Sequence, residues 1–541
     1  MMHGSSLPTF SVATLLMQIL GYALLPIVIF ILIWMGLKQP HLEGLDGAHH
    51  VMDGIFFHDL FLDLPWKDPI GYTYEYYRQY PALGFIFWPP FFPFIEGIGF
   101  HLGGVHLQTA LWTMAVFGMV FAASILTLLR PLLGFPLAWI STVFIISAPT
   151  LLPYWQSVML EIPVIALMVT WVLSWKHWIN KPNANRVALV VFVGLCLIYT
   201  KQTGAIVVIA AFFATCIWHR HALFNKATVI GAIIFILGAL PLIFWTLSFG
   251  YSNIEQSIGD NTESIMAGYQ GLERFSREAW TFYPQVAWQM IPIFLKPGIV
   301  LALIAIVSSL SFWRNHHIYI LWTFVFYILF SYFDNRSERF AVLIWPAIAI
   351  LSIAGWMWLA EKIVKFVFKN ARSKIYFVVP FTLILMTVLL ATSVLQLQQA
   401  VAAPFKGERG IAPLVMEIQP SASPANVMYL GKFRQLFVYY LRVQDSARRR
   451  YLLQGEDILA AYPWPKALKD FHVEYVIREK SSDIAMPTQP LKELELIRES
   501  SFELDGRDIP VEIWKYAGKF SEQRAEINLQ SKLIKPLRAE K

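Results

Sequence analysis

The chain has 541 residues, 57% of them apolar and only 15% charged, with a formal net charge of +7 and a mean hydropathy of +0.53. Residues 1–400 carry 38 charged side chains (17 acidic, 21 basic), and residues 401–541 carry 41 (19 acidic, 22 basic). So few charges cannot cover the surface of a soluble protein, which predicts an α-helical polytopic membrane body over residues 1–400 and a small α/β soluble domain over 401–541. There is no periodic basic–aromatic array and no long Lys/Arg block, which argues against a nucleic-acid partner.

Taken in chain order, the apolar run over 11–37 is too long for the core of a signal peptide and has no basic segment before it; it reads as the first span. Further runs long enough to cross a bilayer lie near 106–129, 132–148, 159–178, 187–199, 203–218, 227–249, 297–313, 318–333, 340–360 and 375–397, about eleven spans in all. The runs at 187–199 and 203–218 are short and meet at a polar joint, Thr200-Lys201-Gln202-Thr203, so they read either as two short spans or as one bent re-entrant pair. The stretch 81–100 is apolar but interrupted by Pro89, Pro90 and Pro93, as in an interfacial helix pair. The cysteines, Cys196 and Cys216, fall inside apolar runs. The 401–541 segment therefore has no disulfide, and a thiol nucleophile or cysteine metal site is not expected. In that segment the runs 427–430, 436–441, 473–477 and 511–514 read as strands, with helices at 456–461 and 464–470 between them and a polar tail over 521–541.

Basic residues orient the spans. One set of alternate loops holds Arg130, Lys176, Lys181, Arg186, Arg220, Lys226, Arg314, Lys362, Lys365, Lys369, Arg372 and Lys374 against a single acid, Glu361. The other set holds nine basic and fourteen acidic residues. The positive-inside rule makes the first set cytoplasmic. With an odd span count the N-terminus is then cytoplasmic and the 401–541 domain lies outside: on the periplasmic face of a bacterial cell membrane, or in the endoplasmic reticulum lumen of a eukaryote.

On that outer side the first loop, 38–80, carries seven carboxylates. It is longer than a connector needs to be, and long ordered loops tend to carry function. Asp46 comes just after the first span, near the headgroup layer, and Asp53 follows within the same helix-capable stretch. Glu161 opens a span. It reads either as a dipole-matching cap, worth about 0.3–1 kcal/mol, or as a functional carboxylate at membrane depth. Lys201 is the only Asp, Glu, Lys or Arg between Arg186 and Arg220, a snorkelling lysine or a cation for an anionic ligand. Arg336 and Arg339, three residues apart in the turn Asp334-Asn-Arg-Ser-Glu-Arg, are placed to share a helix face and grip a phosphate. A carboxylate base for a nucleophile and cations for a leaving phosphate suit group transfer from an amphiphilic, anionic substrate. No P-loop, dinucleotide turn, nucleophile elbow or zinc helix is present.

Five motifs in order resemble the GT-C superfamily of polytopic glycosyltransferases, nearest the protein O-mannosyltransferase and aminoarabinose-transferase group. They are Asp46-Gly47; Tyr80-Pro81 with Trp88-Pro89-Pro90-Phe91; Glu161 with Pro163; Tyr199-Thr200-Lys201 with Gly204; and Arg336-Ser337-Glu338-Arg339-Phe340 with Pro346. The chain departs from the group's pattern at Gly47, where a second acid is common, at Glu161, where Asp is usual, and at Phe340, where Tyr is common. The resemblance implies a polyprenyl-phosphate sugar donor, an envelope acceptor (lipid, glycan or protein) and inversion at the anomeric carbon. It implies Asp46 as base, with Asp53 competing and Glu161 assisting. Lys201, Arg336 and Arg339 would hold the lipid phosphate, and His49, His50 and Tyr80 would contact substrate. No metal is required on this reading; a divalent ion at His49 or His50 with an acid is the alternative. A transporter or flippase without group-transfer chemistry is the competing function.

Overall fold

The computed structural model describes residues 12–85, 87–248, 270–367, 371–402, 407–418, 425–484, 486, 492–504 and 506–525. The described charge-poor part is helical apart from one short two-stranded ladder. Helix α1 (Val12–Lys38) is followed by α2 (Gly44–Asp63), α3 (Pro69–Gln79) and α4 (Phe91–Gly103), which are short and together form the segment expected as the first outer loop and the proline-broken stretch after it. The bundle then continues through Leu107–Leu133, Phe135–Ile146, Glu161–Asn180, Ala184–Ile198, Ala205–Trp218 and Lys226–Ser248, and after the undescribed segment through Arg277–Met290, Lys296–Ser308, Leu310–Tyr332, Trp345–Val367 and Ala371–Ala402.

Six of these helices are long and apolar enough to cross a membrane, or eight if each of two bent pairs counts as one span. The expected eleven is reached only by adding Ala184–Ile198, Ala205–Trp218 and Leu310–Tyr332. The joint at Lys201 is a tight one, with a 3-10 turn at Gln202–Gly204 between two short helices. Helix packing uses small residues, as it does where lipid removes the hydrophobic drive between helices. A Cβ at Gly355 would collide with the carbonyl of Gly298, so Trp345–Val367 and Lys296–Ser308 approach backbone to backbone.

Residues from Glu408 onward build a six-stranded sheet in the order β3-β7-β8-β6-β4-β5, with β3 Glu408–Arg409, β4 Asn426–Leu430, β5 Leu452–Gln454, β6 Val473–Glu479, β7 Leu494–Leu504 and β8 Arg507–Tyr516. β4 runs parallel to β5 and β6, while β8 is antiparallel to β6 and β7. A two-stranded ladder elsewhere, β1 (Gln270–Gly271) with β2 (Asn335–Arg336), pins the turn before Trp345–Val367.

One expected strand is a helix. The run 436–441 lies inside Arg434–Gln444, which buries Leu436, Phe437, Val438, Tyr439, Leu441 and Arg442. A short apolar run is ambiguous between the two states. Here Phe437 and Leu441 recur at helical spacing and are both buried, Phe437 faces Tyr429 and Phe502 of the sheet, and Arg442 reaches α2. The sheet is thereby joined to the helical body. Arg442 makes a bidentate bond to Asp59 at 2.6 and 3.0 Å, Arg448 bonds Asp63 at 2.6 Å, and Gln79 donates to the Arg448 and Arg450 carbonyls.

Candidate active site

Four charged side chains from four separate segments meet at the sheet-bearing end of the bundle. Asp46 stands in the first turn of α2. Glu161 opens the helix Glu161–Asn180, where an acid matches the helix dipole. Lys201 precedes the 3-10 turn. Arg339 lies in the short helix Glu338–Ala341, whose cap is Ser337, its hydroxyl accepting from the Arg339 N–H.

One oxygen of Glu161 accepts from Lys201 Nζ at 2.8 Å and from Arg339 Nε at 2.5 Å. Arg339 Nη1 donates to Asp46 Oδ2 at 2.5 Å. A buried carboxylate is costly unless paired, and two cations on one oxygen hold Glu161 ionised in place. Its other oxygen, Oε2, is buried without a partner among the described residues. The side chains differ in access: Glu161 is 1% exposed and Asp46 34%. Burial pushes the Asp46 carboxyl up, but the Arg339 guanidinium outweighs it and holds Asp46 below the ordinary value of 3.8.

The proline-bearing stretch closes one side of this cluster. The Phe91 N–H donates to the Tyr199 carbonyl at 2.8 Å, which ties the start of α4 to the Lys201 turn. Trp88 presents its ring to His50 at 4.6 Å and to His49 at 5.8 Å. His50 is fully buried, with both ring nitrogens unpartnered among the described residues. Burial holds it neutral, with its pKa pushed down to about 3 despite Asp46 and Glu161 nearby. His49 bonds the Ala82 carbonyl at 2.7 Å. The adjacent histidines share Trp88 but differ in hydrogen bonding, and among the described residues no group of three His, Cys, Asp or Glu is placed to hold a metal ion.

Three expected site residues stand apart from the four charges. Arg336 is fully buried and donates to the carbonyls of Ser331 at 2.6 Å, Leu272 at 2.8 Å and Asp334 at 2.9 Å. It braces the β1–β2 turn and does not share a helix face with Arg339, because the β2 ladder and the Ser337 cap break the helix between them. Asp53 is buried, accepts from the Gly84 N–H at 2.8 Å and has its pKa raised well above the usual range by burial. Tyr80 is buried with its hydroxyl unpartnered among the described residues and its ring 5.9 Å from the Arg442 guanidinium.

One residue was not expected. Glu96, inside the apolar stretch 81–100, is fully buried, packs its carboxyl on Gly54 and has no partner on either oxygen among the described residues. Burial, with Asp53 nearby, raises its pKa. As a lone acid in an apolar segment it carried the same signal that marked Glu161.

No family model matches the sequence, and no curated protein does. Solved structures do match the fold. ArnT from Cupriavidus metallidurans bound to undecaprenyl phosphate is similar at 15% identity over 92% of this chain and 98% of that chain, with a TM-score of 0.59. The same protein in the apo state gives 15% identity over 94% and 100%, with a TM-score of 0.58. The Archaeoglobus fulgidus oligosaccharyltransferase tethered with an acceptor peptide gives 13% identity over 85% and 69%, with a TM-score of 0.48. The ArnT likeness establishes the fold as the one the resemblance implied, a polytopic helical body carrying a C-terminal sheet.

Proposed function

We propose that this chain is a membrane glycosyltransferase that moves a sugar from a polyprenyl-phosphate donor to an envelope acceptor, on the outer face of the membrane and with inversion. The cluster Asp46–Arg339–Glu161–Lys201 carries the reading: two cations are fixed on a buried acid, and one accessible carboxylate stands beside them. The fold shared with a protein that binds undecaprenyl phosphate supports it.

Lys201 spends one bond on Glu161, and Arg339 retains donors beyond Nε and Nη1; these face the donor phosphate. Glu161 is the positioning residue that holds both cations. A phosphate arriving on Arg339 competes with Asp46 for the guanidinium and frees the carboxylate as the donor binds. The acceptor oxygen then attacks the anomeric carbon from the face opposite the phosphate. The carbon–phosphate-oxygen bond breaks, its electron pair leaves with the polyprenyl phosphate, and the acceptor proton passes to Asp46. The cations stabilise the charge that develops on the leaving oxygen. Lys201 and Arg339 supply this charge without a metal ion. Arg336 acts outside the site, as a brace.

The test is transfer by the purified chain in vesicles supplied with a labelled polyprenyl-phosphate sugar and envelope extract, read by mass spectrometry of the acceptor. Asp46→Asn is expected to lower transfer by roughly 10²–10⁴-fold, the usual contribution of a positioned base. Asp53→Asn, which keeps the oxygen that accepts from Gly84, is expected to retain it. Full transfer by Asp46→Asn overturns the base assignment; movement of the donor across the vesicle without a glycosylated product overturns the enzyme.

A further inference from the structure

The end of the bundle away from the charged site carries positive charge with no acid to neutralise it. Trp175 is fourteen residues along the helix that Glu161 opens, roughly 21 Å at the α-helical rise. Its ring meets those of His219 and His317 at 5.8 and 5.9 Å. His219 sits on the turn after Ala205–Trp218, and His317 is on Leu310–Tyr332. The stretches 162–254 and 279–333, which supply all of these residues, contain no Asp or Glu. They do supply Lys176, Arg220 and Arg314. Lys176 Nζ donates to the Tyr319 hydroxyl at 3.2 Å, and Arg220 Nε donates to the Cys216 carbonyl at 3.1 Å. Both partners are uncharged, and each cation keeps donors beyond the one it spends.

A hydrogen bond between the two imidazoles, 3.3 Å from Nε2 to Nε2, ties the turn to the helix. His317 Nδ1 faces the Arg314 carbonyl at 2.8 Å, so Nδ1 carries the proton and His219 donates to His317 Nε2. Arg220 follows His219, and Arg314 stands three residues before His317; both are exposed. The bond therefore holds two exposed guanidinium-bearing positions near one another. Trp218 lies beside them, its ring 5.7 Å from Trp313 and 4.9 Å from His317. Along Ala205–Trp218, Ile209, Phe213 and Ile217 recur every four residues and are all exposed, an apolar stripe that leads up to the Arg220 turn. An apolar track, then an indole pair, then uncompensated cations is the profile of an amphiphilic anion at a bilayer surface: tryptophan settles at the headgroup level, and basic pockets between spans take anionic headgroups.

We propose that Arg220, Arg314 and Lys176 hold the phosphate of an anionic phospholipid in the leaflet at the Lys181 end of the bundle, with an acyl chain laid along Ile209, Phe213 and Ile217. Arg220 and Arg314 supply the planar donors that suit phosphate oxygens, and half-buried Lys176 supplies a point charge behind them. The histidine bond is the brace that keeps the two arginine positions together. A zwitterionic lipid brings its own cation to the site and is disfavoured by the same charges.

The purified full chain in neutral detergent is titrated with phosphatidylglycerol, with phosphatidylcholine and with inorganic phosphate, and bound lipid is read by native mass spectrometry alongside the shift in thermal unfolding. The variants are the double substitution Arg220→Gln with Arg314→Gln, at exposed positions that spare the packed interior, and Lys362→Gln, a basic residue near the end of Trp345–Val367. The wild type is expected to retain phosphatidylglycerol and to be stabilised by it more than by phosphatidylcholine. The double variant is expected to bind it roughly thirtyfold more weakly, about fivefold for each cation lost, while Lys362→Gln binds as the wild type does. Equal binding of the two lipids by the wild type overturns the site, as does an unchanged affinity in the double variant. An equal loss in Lys362→Gln overturns it in favour of diffuse surface charge, and inorganic phosphate binding as tightly as the lipid overturns the assignment to a lipid.

Discussion

Asp46 and Glu161 are both carboxylates on Arg339, yet their surroundings give them different work. Glu161 is sealed and doubly paired; Asp46 is a third exposed and held by one guanidinium. The lowered pKa of Asp46 has a definite sign. Its ionised form is favoured in the folded site, so the favourable contact is present above the ordinary value of 3.8 and is lost as pH falls through the lowered one. The acid limb of transfer is therefore expected below that ordinary value. In Arg339→Gln the largest lowering influence is gone while burial still raises the carboxyl, so the limb moves to higher pH. A pH–rate profile of both proteins checks this, and a limb that stays in place shows that Asp46 is not the titrating group. At this scale the sequence was legible where charge is scarce. Asp46, Glu161, Lys201 and Arg339 stood out because only 38 of the first 400 residues are charged, and the structure brings those four together. Arg336 carried the same signal but met backbone carbonyls, a fate set by a two-residue ladder to a distant segment that no local spacing reveals.

Among the elements, α2 and α3 decide how the sheet meets the helices. Asp59 is fully buried and takes both Arg442 nitrogens as well as the Tyr76 hydroxyl. Removing one partner of a buried ion pair leaves the other charge uncompensated, at a cost of about 3–5 kcal/mol. Arg442→Ala is accordingly expected to open the contact between α2 and Arg434–Gln444 while the bundle persists. Amide exchange at the end of α2 is the measurement. It should rise by roughly 10²–10³-fold, since each 1.4 kcal/mol is a factor of ten; unchanged protection would mean that apolar packing alone holds the sheet in place. The apolar character of the body could be read from charge-free runs, because lipid demands long apolar helices, but the number of spans could not: among the described residues six helices, or eight with the bent pairs, are long and apolar enough to cross, where eleven were expected. The Arg434–Gln444 helix could not, because its apolar run is short and its state is chosen by what lies on either side of it. β7 was missed for a related reason: nine of its eleven residues are exposed or half-buried, leaving no apolar run to mark it as a strand.

For the molecule as a whole, the decisive quantity is the separation of charge along the bundle axis. The helix Glu161–Asn180 has twenty residues, about 30 Å at the α-helical rise and close to the thickness of a bilayer's hydrocarbon core. Glu161, Asp46 and the sheet lie at one end of it, and Lys181 follows the other. We propose from the positive-inside rule that the Lys181 end faces the cytoplasm and that the sheet and the charged cluster lie outside the cell. This matters for the chemistry, because a donor carried on a long lipid must present its phosphate at the face where the acceptor waits. The orientation can be tested without reference to activity. The chain has two cysteines, Cys196 and Cys216, and with both replaced by serine, single cysteines at the exposed positions Lys67, Arg507 and Lys181 report their side through a membrane-impermeant thiol reagent applied to intact cells. Lys67→Cys and Arg507→Cys are expected to label, and Lys181→Cys only after lysis. The opposite pattern would put Asp46, Arg339 and Lys201 in the cytoplasm, where the proposed donor would have to be used on the inner leaflet and an envelope acceptor could be glycosylated only before its export.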